Sequence, residues 1–252
     1  MINEFHNSIG NHRGSYKNKY NCAQKLANIW GDVKAKMERM VENGRGVTRI
    51  SRMAYVTLLM METALRIGDK EKSNEGYVST NKYGKYFNKR VKTYGLTALQ
   101  YRHFKIYPGK LVIEFLGKKQ VQNKVKTKNK ILIRYYHVIT KNKMPADFVF
   151  SDFNGYELRK FIRRYVGRKY MSKDIRTAKI NLIFLKKINI PEEAITSRNQ
   201  INKIVKEVFI ETAALAGHTV GVCRAKYVSP HLLFNYKKSL MAKMINDRKE
   251  KK

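Results

Sequence analysis

The sequence predicts a predominantly helical α+β fold with one small antiparallel sheet near its middle. Three observations carry that reading. Apolar residues recur at helical spacing along most of the chain, a β-branched and alternating stretch interrupts them at residues 103–127, and no apolar run approaches the ~20 residues that span a bilayer.

Residues 1–18 are polar, with Gly10, Gly14 and several Asn, and are expected to form a flexible arm. Leu26, Ile29, Trp30, Val33, Met37 and Met40 then repeat with a helical period from Asn21 to Val41, and Asn43 to Gly46 ends the pattern. Val47 to Leu65 reads as a second, largely buried helix, its apolar run broken by Thr57, Glu62 and Thr63. Residues 69–94, rich in Lys, Asn and Gly, are expected to be a surface loop. Leu111 to Phe115 is β-branched and apolar, follows the turn signal Pro108-Gly109 and precedes Gly117, and Gln120 to Lys126 alternates. Helical patterns return at 129–141, 154–167, 172–188, 197–216 and 230–246. No linker or repeat divides the chain, so the expected organisation is the arm at 1–18 and one domain over 19–252.

Composition bounds the function. Hydrophobic residues make up 43% of the 252 residues, which excludes a disordered basic tail. Glu4, His6 and Asn7 occupy the place of a signal peptide's apolar core. Cys22 and Cys223 are too few for a disulfide framework or an all-cysteine zinc site, so an intracellular, reducing setting is expected. Lys and Arg total 53 against 19 Asp and Glu, a formal charge of +34. Like charge of that size repels itself and calls for a polyanion. A membrane surface or a ribosome would satisfy the charge alone, but nucleic acid is the expected partner because each phosphate neutralised releases counterions. Between Lys82 and Lys143 there are 17 Lys or Arg residues and the single acid Glu114, with Tyr83, Tyr86, Tyr94, Tyr101 and Tyr107 interleaved. That stretch is expected to track DNA phosphates.

Five short elements bear chemistry when taken together: Thr63-Ala-Leu-Arg66-Ile-Gly68, Phe115-Leu-Gly-Lys118, Ser172-Lys173-Asp-Ile-Arg176-Thr177, Ala216-Gly-His218-Thr219 and Cys223-Arg-Ala-Lys-Tyr227. In this order and at these spacings they resemble the type IB DNA topoisomerases, in particular the poxvirus, giant-virus and bacterial branch. Tyr94-Gly-Leu-Thr-Ala-Leu99 with Arg102-His103, and Cys223 to Pro230, extend the likeness over about residues 20–240. The resemblance implies the fold of the tyrosine recombinase and topoisomerase IB catalytic domains. It implies Tyr227 as a nucleophile that forms a 3′-phosphotyrosyl link, with Arg66, Arg176 and His218 on the nonbridging oxygens. Lys118 would be the general acid at the leaving 5′-oxygen, assisted by Lys173.

Those residue types suit the reaction. The transition state gathers charge on nonbridging oxygens, and a guanidinium offers a planar, permanently charged fork to them. The covalent link conserves the phosphodiester energy, so relaxation of supercoiled duplex DNA is expected without ATP, metal or other cofactor. Neither a Walker loop, an Asp-x-Asp cluster nor a His/Cys ligand spacing is present. Lys119, Tyr94, Arg102, Lys124, Lys126, Arg224 and Lys226 are the expected DNA contacts, and a monomer the expected state. Two further readings stay open at this point: a tyrosine recombinase or integrase, and a DNA-binding relative without catalysis. Recombinases place a second His or a Trp shortly after the second arginine, where Arg176 is followed by Thr-Ala-Lys.

Departures from the family pattern are local. Lys119 stands where poxvirus members have an acid, Ala178 where an aromatic is usual, and Val220 in place of Pro, while His218 matches the viral and eukaryal rather than many bacterial members. Only about 65 residues precede Arg66, so the small β-rich N-terminal clamp domain of the viral and bacterial family is expected to be absent.

Overall fold

A computed structural model describes residues 15–42, 46–71, 77–80 and 86–249. In chain order the elements are α1 (Ser15–Asn28), α2 (Trp30–Glu42), α3 (Arg49–Thr63), β1 (Tyr77–Thr80), β2 (Tyr86–Val91), β3 (Phe104–Tyr107), β4 (Lys110–Gly117) and β5 (Val121–Thr127). They continue with α4 (Lys130–Ile139), α5 (Gly155–Tyr165), α6 (Ser172–Lys187), α7 (Arg198–Ala216), α8 (Val220–Lys226) and α9 (Pro230–Lys249). The mainly helical fold with a small three-stranded antiparallel sheet is as the sequence predicts. Two compact units emerge, one of Ile29–Arg176 and one joining the N-terminal segment through Asn28 to the chain from Thr177 onward.

In the 29–176 unit, α3 is the central element. Thr48 and Ser51 cap it reciprocally: the Ser51 N–H donates to Thr48 Oγ1 at 3.1 Å and the Thr48 N–H to Ser51 Oγ at 2.9 Å. From Ala54 to Met61 it is apolar except for Thr57 and every residue is buried, with Tyr55, Leu58, Leu59, Met60 and Met61 among the most enclosed side chains. Ala64, at φ 57°, turns the chain out of the helix through the left-handed region. Lys34 of α2 pairs with Glu62 of α3 at 2.9 Å, and that bond holds its ammonium above the ordinary lysine range.

The sheet runs β3-β4-β5, antiparallel throughout, with Ile113 opposite both Phe104 and Val125. Alternation along β5 buries Asn123, Val125 and Thr127 and exposes Gln122, Lys124 and Lys126. Phe104 stacks on Tyr136 of α4 at 4.7 Å. Asn129 caps α4 by accepting from the N–H groups of Ile131 and Leu132, and Asn154 with Glu157 forms a capping box on α5.

In the second unit, Phe184 of α6 sits against Phe209 of α7 at 5.2 Å and edge-on to Tyr236 of α9 at 6.3 Å. Ser197 and Gln200 cap the start of α7, and Gly217 ends it at φ 61°.

Three expectations need correction. Residues 69–94 are not a plain loop: Tyr77–Thr80 and Tyr86–Val91 pair antiparallel, because their aromatic and β-branched residues favour strands despite the lysines around them. Residues 21–41 form two helices, separated by a turn at Ile29, and Asp32 in the first turn of α2 marks the new start. Ser15 to Asn18 belong to α1 and not to an arm, while residues 1–14 and 43–45 lie outside the described residues.

Candidate active site

Arg66, Lys118, Lys173 and Arg176 belong to the 29–176 unit, whereas His218 and Tyr227 belong to the other. Each set is assembled by different means.

The Arg66 turn is built on glycines. Gly68 adopts φ +81°, and a Cβ there would fall 2.5 Å from the Cα of Gly95; a Cβ on Gly95 would meet Gly68 at the same distance. Only two glycines let these backbones touch. The closeness allows Leu96 N–H to donate to Arg66 O at 2.9 Å and Thr97 N–H to Ile67 O at 2.8 Å. Arg66 itself is exposed. Arg176 is 5% exposed, and its Nη1 donates to the carbonyl oxygen of Ala64, two residues before Arg66. Side chains far apart in sequence therefore share one turn. Lys173 is exposed in the first turn of α6, and the Asp174 carboxylate accepts from Met171 N–H at 2.8 Å.

Lys118 is exposed on the three-residue turn Lys118–Gln120 that joins β4 to β5, with Gln120 at φ 56°. A Cβ on Gly117 would lie 2.3 Å from the Asn123 amide nitrogen, which donates to Val121 O at 2.9 Å, so a side chain here would have to displace that amide. Strand β1 packs against this turn. Tyr94 N–H donates to Leu116 O at 2.8 Å, so the segment 94–97 bonds to the Lys118 hairpin at one end and to the Arg66 turn at the other. The segment that resembled a family motif is thus a backbone bridge.

The Tyr94 ring meets His103 edge-on at 4.3 Å, and Arg102 donates to the Tyr94 hydroxyl at 3.1 Å. Burial and the Arg102 charge lower the His103 imidazole to about 4, so it is neutral and its Nδ1 accepts from Gln100 N–H at 2.9 Å. On the exposed strand face Glu114 accepts from Lys105 and Lys124, both at 2.5 Å, which lowers its carboxyl to about 2. Lys124 is therefore committed to an ion pair, while Lys126 is exposed beside it; the Lys119 side chain lies outside the described residues.

In the second unit the nine-residue interval from His218 to Tyr227 is spanned by α8. Gly217 and Thr219 set its entry: His218 N–H donates to Ala213 O at 3.0 Å, and Thr219 caps α8 by accepting from Val222 N–H at 3.3 Å. Tyr227 closes the helix, its N–H donating to Cys223 O at 3.1 Å. The result is that the His218 and Tyr227 rings stack, 4.4 Å between centroids and 24° between planes. Both residues are half-buried. The Asn181 amide fixes the backbone on either side of Val228, donating to Tyr227 O at 2.9 Å and accepting from Ser229 N–H at 2.9 Å. Arg224 and Lys226 are exposed on α8, and the Arg224 guanidinium lies 5.9 Å from the Phe209 ring.

Sequence reasoning missed three contributors: Asn181, Gly95 and Lys19, whose ammonium lies 4.9 Å from the Tyr227 ring centre. Asn181 sits five residues after Arg176 on the same helix, a spacing that signals a shared element but not its hydrogen bonds. Among the described residues no group of three or more His, Cys, Asp or Glu side chains could hold a metal ion, and no helix is long and apolar enough to cross a membrane.

Comparison with known proteins adds independent findings. The model of the family described as eukaryotic DNA topoisomerase I, catalytic core, matches residues 11–252. DNA topoisomerase 1B of vaccinia virus (strain Copenhagen) is 27% identical over 154 residues, covering 60% of this chain and 48% of the viral protein. DNA topoisomerase 1B of Acanthamoeba polyphaga mimivirus is 26% identical over 163 residues, with the same coverage of 60% and 48%. The chain thus spans about half the length of the curated relatives it matches. A solved structure of the XerH site-specific recombinase on palindromic difH substrate aligns with TM-score 0.49 and 12% identity, over 83% of this chain and 51% of that one.

Proposed function

This chain belongs to the family of eukaryotic DNA topoisomerase I catalytic cores, and on that premise we propose that it relaxes supercoiled duplex DNA by transient cleavage of one strand. The phenolic oxygen of Tyr227 attacks a backbone phosphorus, the bond from phosphorus to the 5′-oxygen breaks, and a 3′-phosphotyrosyl link holds the nicked strand. The leaving 5′-oxygen takes a proton from Lys118, with Lys173 assisting, and the phenol's proton passes to solvent. Arg66, Arg176 and His218 stabilise the charge on the nonbridging oxygens, each contributing about 3 to 4 kcal/mol when well placed. After rotation of the free end the 5′-hydroxyl attacks the link and reseals the strand.

The observation that carries this reading is the presentation of Tyr227. A nucleophile must be held in one direction, and here its ring lies against His218 while its backbone is clasped by Asn181 and Cys223. The bond from Arg176 to the turn carrying Arg66 supports the assignment of the two arginines to one task. On this reading the protein acts on double-stranded DNA inside the cell, as a monomer, without ATP or metal. The cationic side chains Lys119, Arg102, Lys126, Arg224 and Lys226, with Tyr94, contact the duplex, and Lys124 joins them by exchanging Glu114 for phosphate.

Supercoiled plasmid incubated with the protein in EDTA without ATP is expected to relax through a ladder of topoisomers. Plasmid that stays fully supercoiled overturns the proposal. Recombinant products from paired sites, without relaxation, would replace it with strand transfer.

A further inference from the structure

The contact that the sequence motifs do not anticipate is made by α1. Lys19 donates from Nζ to the carbonyl oxygen of Lys226, in the last turn of α8, and its ammonium stands 4.9 Å from the ring centre of Tyr227. Both partners are chemically apt. The final carbonyls of a helix have no partner within it, so a cation there satisfies an acceptor. A phenol ring attracts a cation to its electron-rich face, and more so as its oxygen gives up its proton. α1 is itself anchored by Tyr20, Ala23 and Leu26, all buried, so the ammonium is delivered by a fixed helix and not by a free chain end.

We propose that Lys19 is the positioning residue of the nucleophile: it holds the end of α8 by hydrogen bond and steadies the Tyr227 ring by its charge. The proposal rests on Tyr227 being the nucleophile. Lys19 touches neither DNA nor the reacting phosphorus in this role, so its loss slows cleavage without weakening DNA retention. A single phosphate-contacting lysine behaves oppositely, lowering affinity and reducing the salt slope by about one.

The test is single-turnover formation of the covalent adduct on a nicked-strand suicide duplex, at saturating DNA, for the unaltered protein and for Lys19→Met, Lys19→Gln and Lys19→Arg. DNA affinity is measured across a salt series, and circular dichroism melting checks folding. Lys19→Met and Lys19→Gln are expected to slow adduct formation by roughly 3- to 30-fold, while Lys19→Arg stays near the unaltered rate. Gln keeps a donor for the Lys226 carbonyl but no charge, so it carries the test even if Met destabilises α1. Adduct rates for Met and Gln equal to the unaltered protein overturn the proposal. So does a defect seen only in affinity and its salt slope. If the unaltered protein forms no adduct, the assignment of Tyr227 falls and Lys19 with it; if it does, only the role of Lys19 is at stake.

Discussion

The two units of this molecule hold their site residues in contrasting ways. Around Tyr227, a seven-residue helix and its two caps set the geometry, and His218 reaches the Tyr227 ring through nine consecutive residues. Around Arg66, the geometry comes from segments far apart in sequence: Gly95 pressed on Gly68, Leu96 bonded to Arg66, and Arg176 bonded to Ala64. The difference teaches where each set of candidate residues is fragile. The stack of His218 on Tyr227 comes from one short stretch of chain, with Asn181 and Lys19 as its distant supports, whereas the Arg66 turn is made throughout by long-range backbone contacts and fails when any partner is changed.

The arginines give the sharpest test of that contrast. Arg66→Ala and Arg176→Ala are each expected to slow single-turnover cleavage by roughly 100- to 1,000-fold. Only Arg176→Ala should also lower stability, by about 1 to 3 kcal/mol, because it strips the Ala64 carbonyl of a buried donor. Urea unfolding beside the cleavage rates checks this; equal stability loss in both variants would break the distinction. Next in size is Gly68→Ala, which forces a side chain into φ +81° and onto Gly95 and is expected to cost about 3 kcal/mol or more, with loss of cleavage.

A pH effect belongs to the same unit. His103 has its folded value near 4 against 6.5 for the free imidazole, so between those values the unfolded chain binds a proton that the folded one refuses. Its contribution is fully present above about pH 6.5 and is lost as pH falls toward 4; solvent screening holds it to roughly 2 kcal/mol. His103→Gln should flatten that part of the stability profile measured by denaturant titration. The smallest effect expected is on the other side of the comparison. A Cβ on Gly221, inside α8, meets nothing within 4 Å, so Gly221→Ala should stabilise the protein by about 0.5 to 1 kcal/mol and leave cleavage intact. A Tm that falls instead would mean α8 is less simple than its local contacts suggest.

The same contrast explains what was legible in the sequence. The Tyr227 side is largely readable, because Gly217, Thr219 and the nine-residue interval are local signals. The sheet was readable from Pro108-Gly109 and the alternation of β5 for the same reason. Arg66 and Arg176 were identified only through family motifs, since nothing local in Arg-Ile-Gly tells that Gly95 will cover Gly68. The hairpin of β1 and β2 was hidden by lysines and asparagines that mark loops when counted, although its tyrosines and valines favour strands. Lys19 was invisible because a cation so far ahead of its tyrosine in the chain leaves no trace in any spacing.

The most direct test is to trap the protein on a suicide duplex whose cleaved strand is labelled at its 5′ end, digest the complex and locate the DNA-linked peptide by mass spectrometry. A 3′-phosphoryl link on the phenol of Tyr227 is expected, and none in Tyr227→Phe, which still retains DNA. A link through another side chain, a link to the 5′ end, or an adduct that survives in Tyr227→Phe would contradict it.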